Sequence, residues 1–248
     1  MKKSLNLKKI WKSTMRVLLK IYTSNKKLYI ENYLEENGDK NYYSQFGQDD
    51  FVLKKVFTNK TDGFFIDIGA NHPIQGSNTY LLERNGWKGL AFEPQESLNK
   101  LWPINRKTPC LKCVIGPENK YVSFIEGKEE EHGLSGVEGF NKCSTDHRKV
   151  TVQQRKFSDI ISEHGIKKID YLSIDVEGYE LNVLKSIDFS QADIKLISVE
   201  NDLGFKNIPF IGKRLGSELG NNNLRKFIEN EGYTYIARIM CDDFFIKK

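Results

Sequence analysis

Five short apolar runs, each stopped by a carboxylate, a glycine or a proline, constrain this chain more than any other feature. Phe64-Phe65-Ile66-Asp67-Ile68 stops at Gly69, Leu90-Ala91-Phe92-Glu93 at Pro94, and Leu111 to Ile115 at Gly116-Pro117. Ile169 to Ile174 stops at Asp175, and Ile194 to Val199 at Glu200. Runs this short and this apolar suit strands buried on both faces of a parallel sheet. Helical stretches near 77–86, 95–105, 158–164 and 178–187 fall between them. Tyr233 to Ala237 and Phe244 to Ile246 read as a closing antiparallel hairpin. The alternation predicts an α/β chain with a mostly parallel sheet and helices on both faces. Residues 127–149, rich in Gly, Glu, Lys and Ser, fit neither period and read as an insertion or lid.

At 248 residues and 39% hydrophobic, the chain can bury one sizeable core with an appendage to spare. The appendage is basic. Residues 1–28 hold nine Lys/Arg and no acid, leaving 29 bases against 33 acids in the remainder. A body of about −4 lacks the basic face a nucleic-acid partner requires. Residues 1–40 are therefore set apart as a basic amphipathic arm and residues 41–248 as the folded domain. Leu7, Trp11, Met15, Leu18 and Tyr22 recur at helical steps, with Lys9, Lys12, Arg16 and Lys20 opposite. Such a helix either packs its stripe on protein or lies on an anionic membrane surface. Lys12, Arg16 and Lys20 interrupt any secretory apolar segment. Four cysteines are too few for a disulfide scaffold, and no run reaches the roughly 20 apolar residues of a membrane span. The expected setting is the cytoplasm, with peripheral contact at the inner face of the membrane as the arm's second option.

Asp67, Glu93, Asp175 and Glu200 all close an apolar run. In an open α/β sheet, ligands bind beyond the carboxyl ends of the strands, so these four acids predict a ligand site rather than four separate helix caps. The first turn reads Asp67-Ile68-Gly69-Ala70-Asn71-His72-Pro73. A dinucleotide turn needs G-x-G-x-x-G, whereas the glycines here are Gly69 and Gly76; a P-loop is also missing. Gly69 permits a tight turn and close backbone approach to a ligand. Glu93 is placed to accept both hydroxyls of a ribose. An acidic pocket without phosphate-binding glycines suits a cationic, phosphate-free nucleoside, S-adenosylmethionine.

Phe65 to Pro73, Ser77-Asn78-Thr79-Tyr80, Gly86-Trp87-Lys88-Gly89, Glu93-Pro94 and Ile174-Asp175-Val176-Glu177-Gly178-Tyr179-Glu180 together resemble the FkbM family of methyltransferases. Ser44-Gln45-Phe46-Gly47-Gln48-Asp49 is similar to a segment that often precedes that domain, and Gly232-Tyr233 leading to Asp243-Phe244-Phe245 to its closing hairpin. The resemblance covers about residues 42–247. It implies a Rossmann-like, S-adenosylmethionine-dependent O-methyltransferase acting on a sugar of a bacterial glycan or on a natural product. It also implies donor-binding roles for Asp67, Gly69, Ala70, Asn71, Glu93, Pro94, Gln48 and Asp175. Acceptor choice is expected to lie in the insertion and in residues 203–223.

Methyl transfer from a sulfonium needs alignment above all, and a hydroxyl acceptor gains from a base or a Lewis acid. Asp175 and Glu177 are the first candidates for base and positioning group, although Asp175 could hold only the donor's amino group and Glu177 could cap a helix. His132, in the insertion, is a second candidate base. His72 is expected to shape its own turn, while His147 and His164 carry no motif. Cys110 and Cys113 form a lone C-x-x-C with no second pair, which argues against zinc. Asp175, Glu200 and Asn201 offer three oxygen ligands of the kind Mg²⁺ takes, similar to the metal site of catechol-type O-methyltransferases. Glu200 and Asn201 could equally contact substrate. The remaining alternative is a non-catalytic adaptor that keeps the fold and uses its basic helix at a membrane.

Overall fold

A computed structural model describes residues 42–127, 129–140, 147–201 and 222–248, with backbone alone for 129–131. A short helix α1 (Gln48–Phe51) runs into a π turn over Val52–Val56 and leads to β1 (Phe64–Ile68). Then follow α2 (Tyr80–Arg84), β2 (Lys88–Phe92), α3 (Glu96–Asn99), α4 (Trp102–Asn105) and β3 (Cys110–Leu111). The middle of the chain holds β4 (Val114–Ile115), β5 (Lys120–Gly127), a 3-10 turn (Glu129–Leu134), β6 (Gly136–Val137) and β7 (His147–Arg155). The chain then forms α5 (Phe157–Glu163), β8 (Lys168–Ile174), α6 (Glu180–Leu184) and β9 (Asp193–Glu200). It closes with α7 (Asn222–Asn230), β10 (Tyr233–Ile239) and β11 (Asp242–Lys247).

Seven strands form the main sheet in the order β10-β11-β9-β8-β1-β2-β3. β1 pairs in parallel with β2 on one side and β8 on the other; β2–β3 and β8–β9 are also parallel. Only β11 and β10 run antiparallel, as the closing hairpin. The strand order reverses between β1 and β8, which opens a crevice at their carboxyl ends. Alternation along β1 divides the core. Ile66 and Ile68 join one apolar cluster with Leu172, Ile174 and Phe157, while Phe65 joins the other with Trp87, Tyr171 and Phe244. Each such side chain, fully buried, contributes about 1.5–3 kcal/mol.

The sequence reading needs correction in the middle of the chain. The third run is not one strand over 111–115. It breaks at Lys112-Cys113, where β3 leaves the main sheet and β4 enters a second, four-stranded sheet of order β4-β7-β5-β6. Of residues 127–149, which read as an insertion or lid, the described strand β6 and the first residues of β7 pair with β5 in that sheet. Its inner side chains Val114, Phe124, Val137 and Val152 are continuous with the main core.

The segment before β1 is fastened at both ends of its motif. Asp49, fully buried, accepts the Tyr43 N–H at 2.8 Å and the Ser44 hydroxyl at 2.5 Å. Gln48 Nε2 donates across the fold to Asp242 Oδ2 at 2.5 Å. The arm over 1–40 and nearly all of 203–223 lie outside the described residues. Among the described residues, no helix is long and apolar enough to cross a membrane.

Candidate active site

The turn after β1 is built by its neighbours. The N–H groups of Gly69 and Ala70 both donate to the Phe92 carbonyl at 3.0 Å, and Asp175 N–H donates to the Ile68 carbonyl at 2.9 Å. Gly69 has φ +80°, and a Cβ there would lie 1.7 Å from the Asp175 carbonyl oxygen. The close approach anticipated for a ligand is therefore to the backbone after β8. Asn71 is left-handed at φ +49° and donates its N–H to Glu93 Oε2 at 2.8 Å. Gln95 N–H donates to the other oxygen, Glu93 Oε1, at 2.7 Å. Trp102 Nε1 holds the Asn71 carbonyl at 3.0 Å. Burial pushes the Glu93 carboxyl up to about 7, against the pull of those two N–H groups. His72 Nδ1 accepts the N–H groups of Ile74 and Gln75 and so shapes its own turn; burial lowers its pKa.

A cleft opens beyond these strand ends. Gly69, Asn71, Glu93, Pro94, His132, Asp175 and Glu177 all line it, so the fold brings together most of the residues singled out from sequence. Phe92, Val114, Ile115, Phe124 and Val137 form an apolar wall, supplied in large part by the second sheet. Tyr179 closes another side; its hydroxyl donates to Gln154 at 3.0 Å and its ring meets Phe140 edge-on.

Three of the expected donor-binding residues stand elsewhere. Asp67 lies within β1, and the two-residue strand period turns its side chain away from the face of Ile66 and Ile68. It accepts the Thr79 hydroxyl at 2.6 Å beside buried Arg106, and burial raises its pKa. Ala70 packs with Ala91 and Trp102. Gln48 is committed to Asp242 and, through Oε1, to the Phe46 N–H. None of the three is on the cleft wall.

The β8–β9 side is acidic. Asp175, Glu177 and Glu200 each offer a carboxylate oxygen within 4.8 Å of the others. Glu177 is held at φ +56°, a conformation uncommon for a residue other than glycine, next to Gly178 at φ +107°. Asp175 is raised well above the ordinary carboxylate range, first by burial and then by Glu200 and Glu177. Asp242 is pushed up to about 7 by burial, offset in part by Gln48. Carboxylates this close cannot all carry charge; they must share protons or enclose a cation. Asn201 turns its amide nitrogen to Asp243, which also pairs with Arg225 at 2.7 Å and Arg238 at 2.6 Å. Glu177 adds a carboxylate oxygen to the expected pair of Asp175 and Glu200.

On the β2 side, Gln95 is a residue that sequence reasoning missed. It is buried, and its side chain meets Gly127 at the end of β5 and His132 and Ser135 in the turn between β5 and β6. His132 is thereby joined through Gln95 to the turn that holds Glu93. A polar residue two positions after the strand-ending Glu93 was the available signal. Cys110 and Cys113 face different clusters.

Over residues 67–235 the chain matches the family described as the methyltransferase FkbM domain. It is 28% identical over 179 residues to methyltransferase sdnD of Sordaria araneosa, covering 56% of this chain and 68% of that protein. It is 23% identical over 176 residues to methyltransferase 1 of Beauveria bassiana (strain ARSEF 2860), covering 58% and 70%.

Proposed function

This chain belongs to the FkbM methyltransferase family, and from that premise we propose a Rossmann-like, S-adenosylmethionine-dependent O-methyltransferase acting on a hydroxyl group. The observation that carries the reading is the Glu93 carboxylate. It ends β2, is held by two main-chain N–H groups, and borders a cleft whose opposite side is acidic. Each of its oxygens keeps a lone pair for a ribose hydroxyl. The apolar wall of Phe92, Val114 and Phe124 suits a flat, uncharged base. Gly69, Asn71 and Pro94 complete the floor, and the acids favour a cationic ligand over a phosphorylated one.

S-adenosylmethionine, when bound, supplies an electrophilic methyl group. The protein's part is to orient the acceptor and to remove its proton. Asp175 and Glu177 border the cleft on the β8 side, where a carboxylate oxygen can take that proton. Glu200 and Asp242, packed behind Asp175, keep it from ionising without competition. The same carboxylates are an oxygen set that suits Mg²⁺. The family resemblance favours a glycan sugar or a natural product as acceptor, and a hydroxyl is the nucleophile that makes most use of a base.

The test is equilibrium binding by titration calorimetry with S-adenosylmethionine, its demethylated product and NADH. Binding of the first two alone supports the reading. Preference for NADH, or binding of none, removes it and returns the adaptor alternative.

A further inference from the structure

Gln95 is 2% exposed, and every hydrogen-bonding atom of its side chain has a partner at the end of β5 or in the turn that follows it. The partners decide which way its amide points. The Gly127 carbonyl can only accept, so the Gln95 atom 3.1 Å from it is the NH₂ nitrogen. Ser135 Oγ already accepts the Gly127 N–H at 2.9 Å, leaving its own proton for Gln95 Oε1 at 3.1 Å. An amide turned the other way would set oxygen against the Gly127 carbonyl. The second N–H of the Gln95 amide is thereby aimed at His132 Nδ1.

An imidazole nitrogen that accepts a hydrogen bond carries no proton, so in neutral His132 the proton resides on Nε2. Nε2 lies across the ring from Gln95, and His132 lines the cleft. The neighbouring Gly133 comes against Asn71, where a Cβ would meet Asn71 Nδ2 at 3.4 Å. Asn71 and Gln95 are the two residues whose N–H groups hold Glu93. Ring and carboxylate thus belong to one end of the cleft.

We propose that Gln95 fixes His132 as an Nε2–H hydrogen-bond donor to the adenosine portion of the methyl donor, a binding role that replaces its expected role as general base. The inference rests on the functional reading above for the identity of the ligand, but not for the tautomer.

Two measurements test it on the full-length protein. Long-range ¹H–¹⁵N spectra of histidine-labelled protein without ligand, with His132 assigned by substitution, should show the Nε2–H tautomer. Gln95→Leu should return the ring to tautomer exchange. An Nδ1–H ring in the unsubstituted protein overturns the proposal, and this result is independent of any methyltransferase activity. Second, His132→Gln places an amide N–H near the former Nε2, whereas His132→Leu places none. A binding role predicts S-adenosylmethionine Kd and KM about tenfold weaker for the leucine variant, partial rescue by glutamine, and little change in kcat. A fall in kcat of a hundredfold or more in both variants, with KM unchanged, restores the base role and overturns the proposal. If the unsubstituted protein binds no S-adenosylmethionine, the functional reading fails and the ligand half falls with it; the tautomer spectrum still judges the Gln95 contact.

Discussion

Gly69 and Asp175 touch through their backbones: the Asp175 carbonyl oxygen occupies the space where a side chain at 69 would begin. The two residues end adjacent strands at the point where strand order reverses, so this contact sets the separation of the cleft's two halves.

Gly69→Ala is accordingly expected to destabilise the protein by about 3 kcal/mol or more, since it combines a positive φ with a backbone clash. Urea unfolding followed by circular dichroism measures it. A loss under about 1 kcal/mol would mean that the turn relaxes freely.

Glu93→Ala should weaken S-adenosylmethionine binding by about 1–3 kcal/mol through loss of charge-assisted bonds to ribose. Below about pH 7 the Glu93 carboxyl is largely protonated, so accepting both ribose hydroxyls as a carboxylate should release a proton. Calorimetry in two buffers of different ionisation enthalpy reads that release. Unchanged affinity in a folded Glu93→Ala protein would take Glu93 out of the site.

The same residue predicts how the ligand-free protein responds to pH. Burial lifts Glu93 from an ordinary 4.5 to about 7, so the folded state holds a proton that the unfolded chain has released. Its contribution is full below the unfolded pKa and is lost as pH rises through the folded one. Between pH 4.5 and 7 the loss amounts to roughly 3 kcal/mol. Glu93→Gln should flatten this part of the profile in denaturant titrations; an unaltered slope contradicts it.

Turnover should survive exhaustive chelation. Asp175, Glu177 and Glu200 can discharge one another by sharing protons, so no cation is needed to hold them together. Activity lost to a chelator and restored by Mg²⁺ would instead make Asp175, Glu177 and Glu200 a metal site.

Residues 1–28 carry nine bases and no acid. Each base near an anionic leaflet contributes about 1 kcal/mol. Full-length protein should therefore co-sediment with anionic vesicles in a salt-sensitive manner, and deletion of residues 1–28 should abolish this while donor binding persists. No co-sedimentation at low salt would assign the arm to packing on protein.

The main sheet was legible because its strands are buried on both faces, so β1, β2, β8 and β9 read as unbroken apolar runs. Glu93 and Asp175 were legible for a related reason: the first residue past such a strand faces whatever lies beyond it. Asp67 was harder, because one further residue of strand turned it to the opposite face. The second sheet escaped notice. In β7 only alternate residues face inward, and Val150-Thr151-Val152-Gln153-Gln154 is a period-two pattern diluted by polar side chains. With β5 and β7 unseen, Gln95 had no visible reason to be buried, and its link to His132 could not be anticipated.

The crossing from β3 to β4 has an architectural consequence. Val114 and Ile115 lie in register with Gln154 and Arg155, so the chain departs from the main body and returns to it on adjacent strands, about 4.8 Å apart. Everything from 116 to 153 is thereby a cassette with matched ends. A relative's segment could be spliced in between those two pairs without lengthening or shortening any strand of the seven-stranded sheet. Such a chimera would exchange Phe124, His132 and Val137 on the cleft wall while Glu93 and Asp175 stayed where they are, so the shape of that wall can be varied apart from the carboxylates that face it.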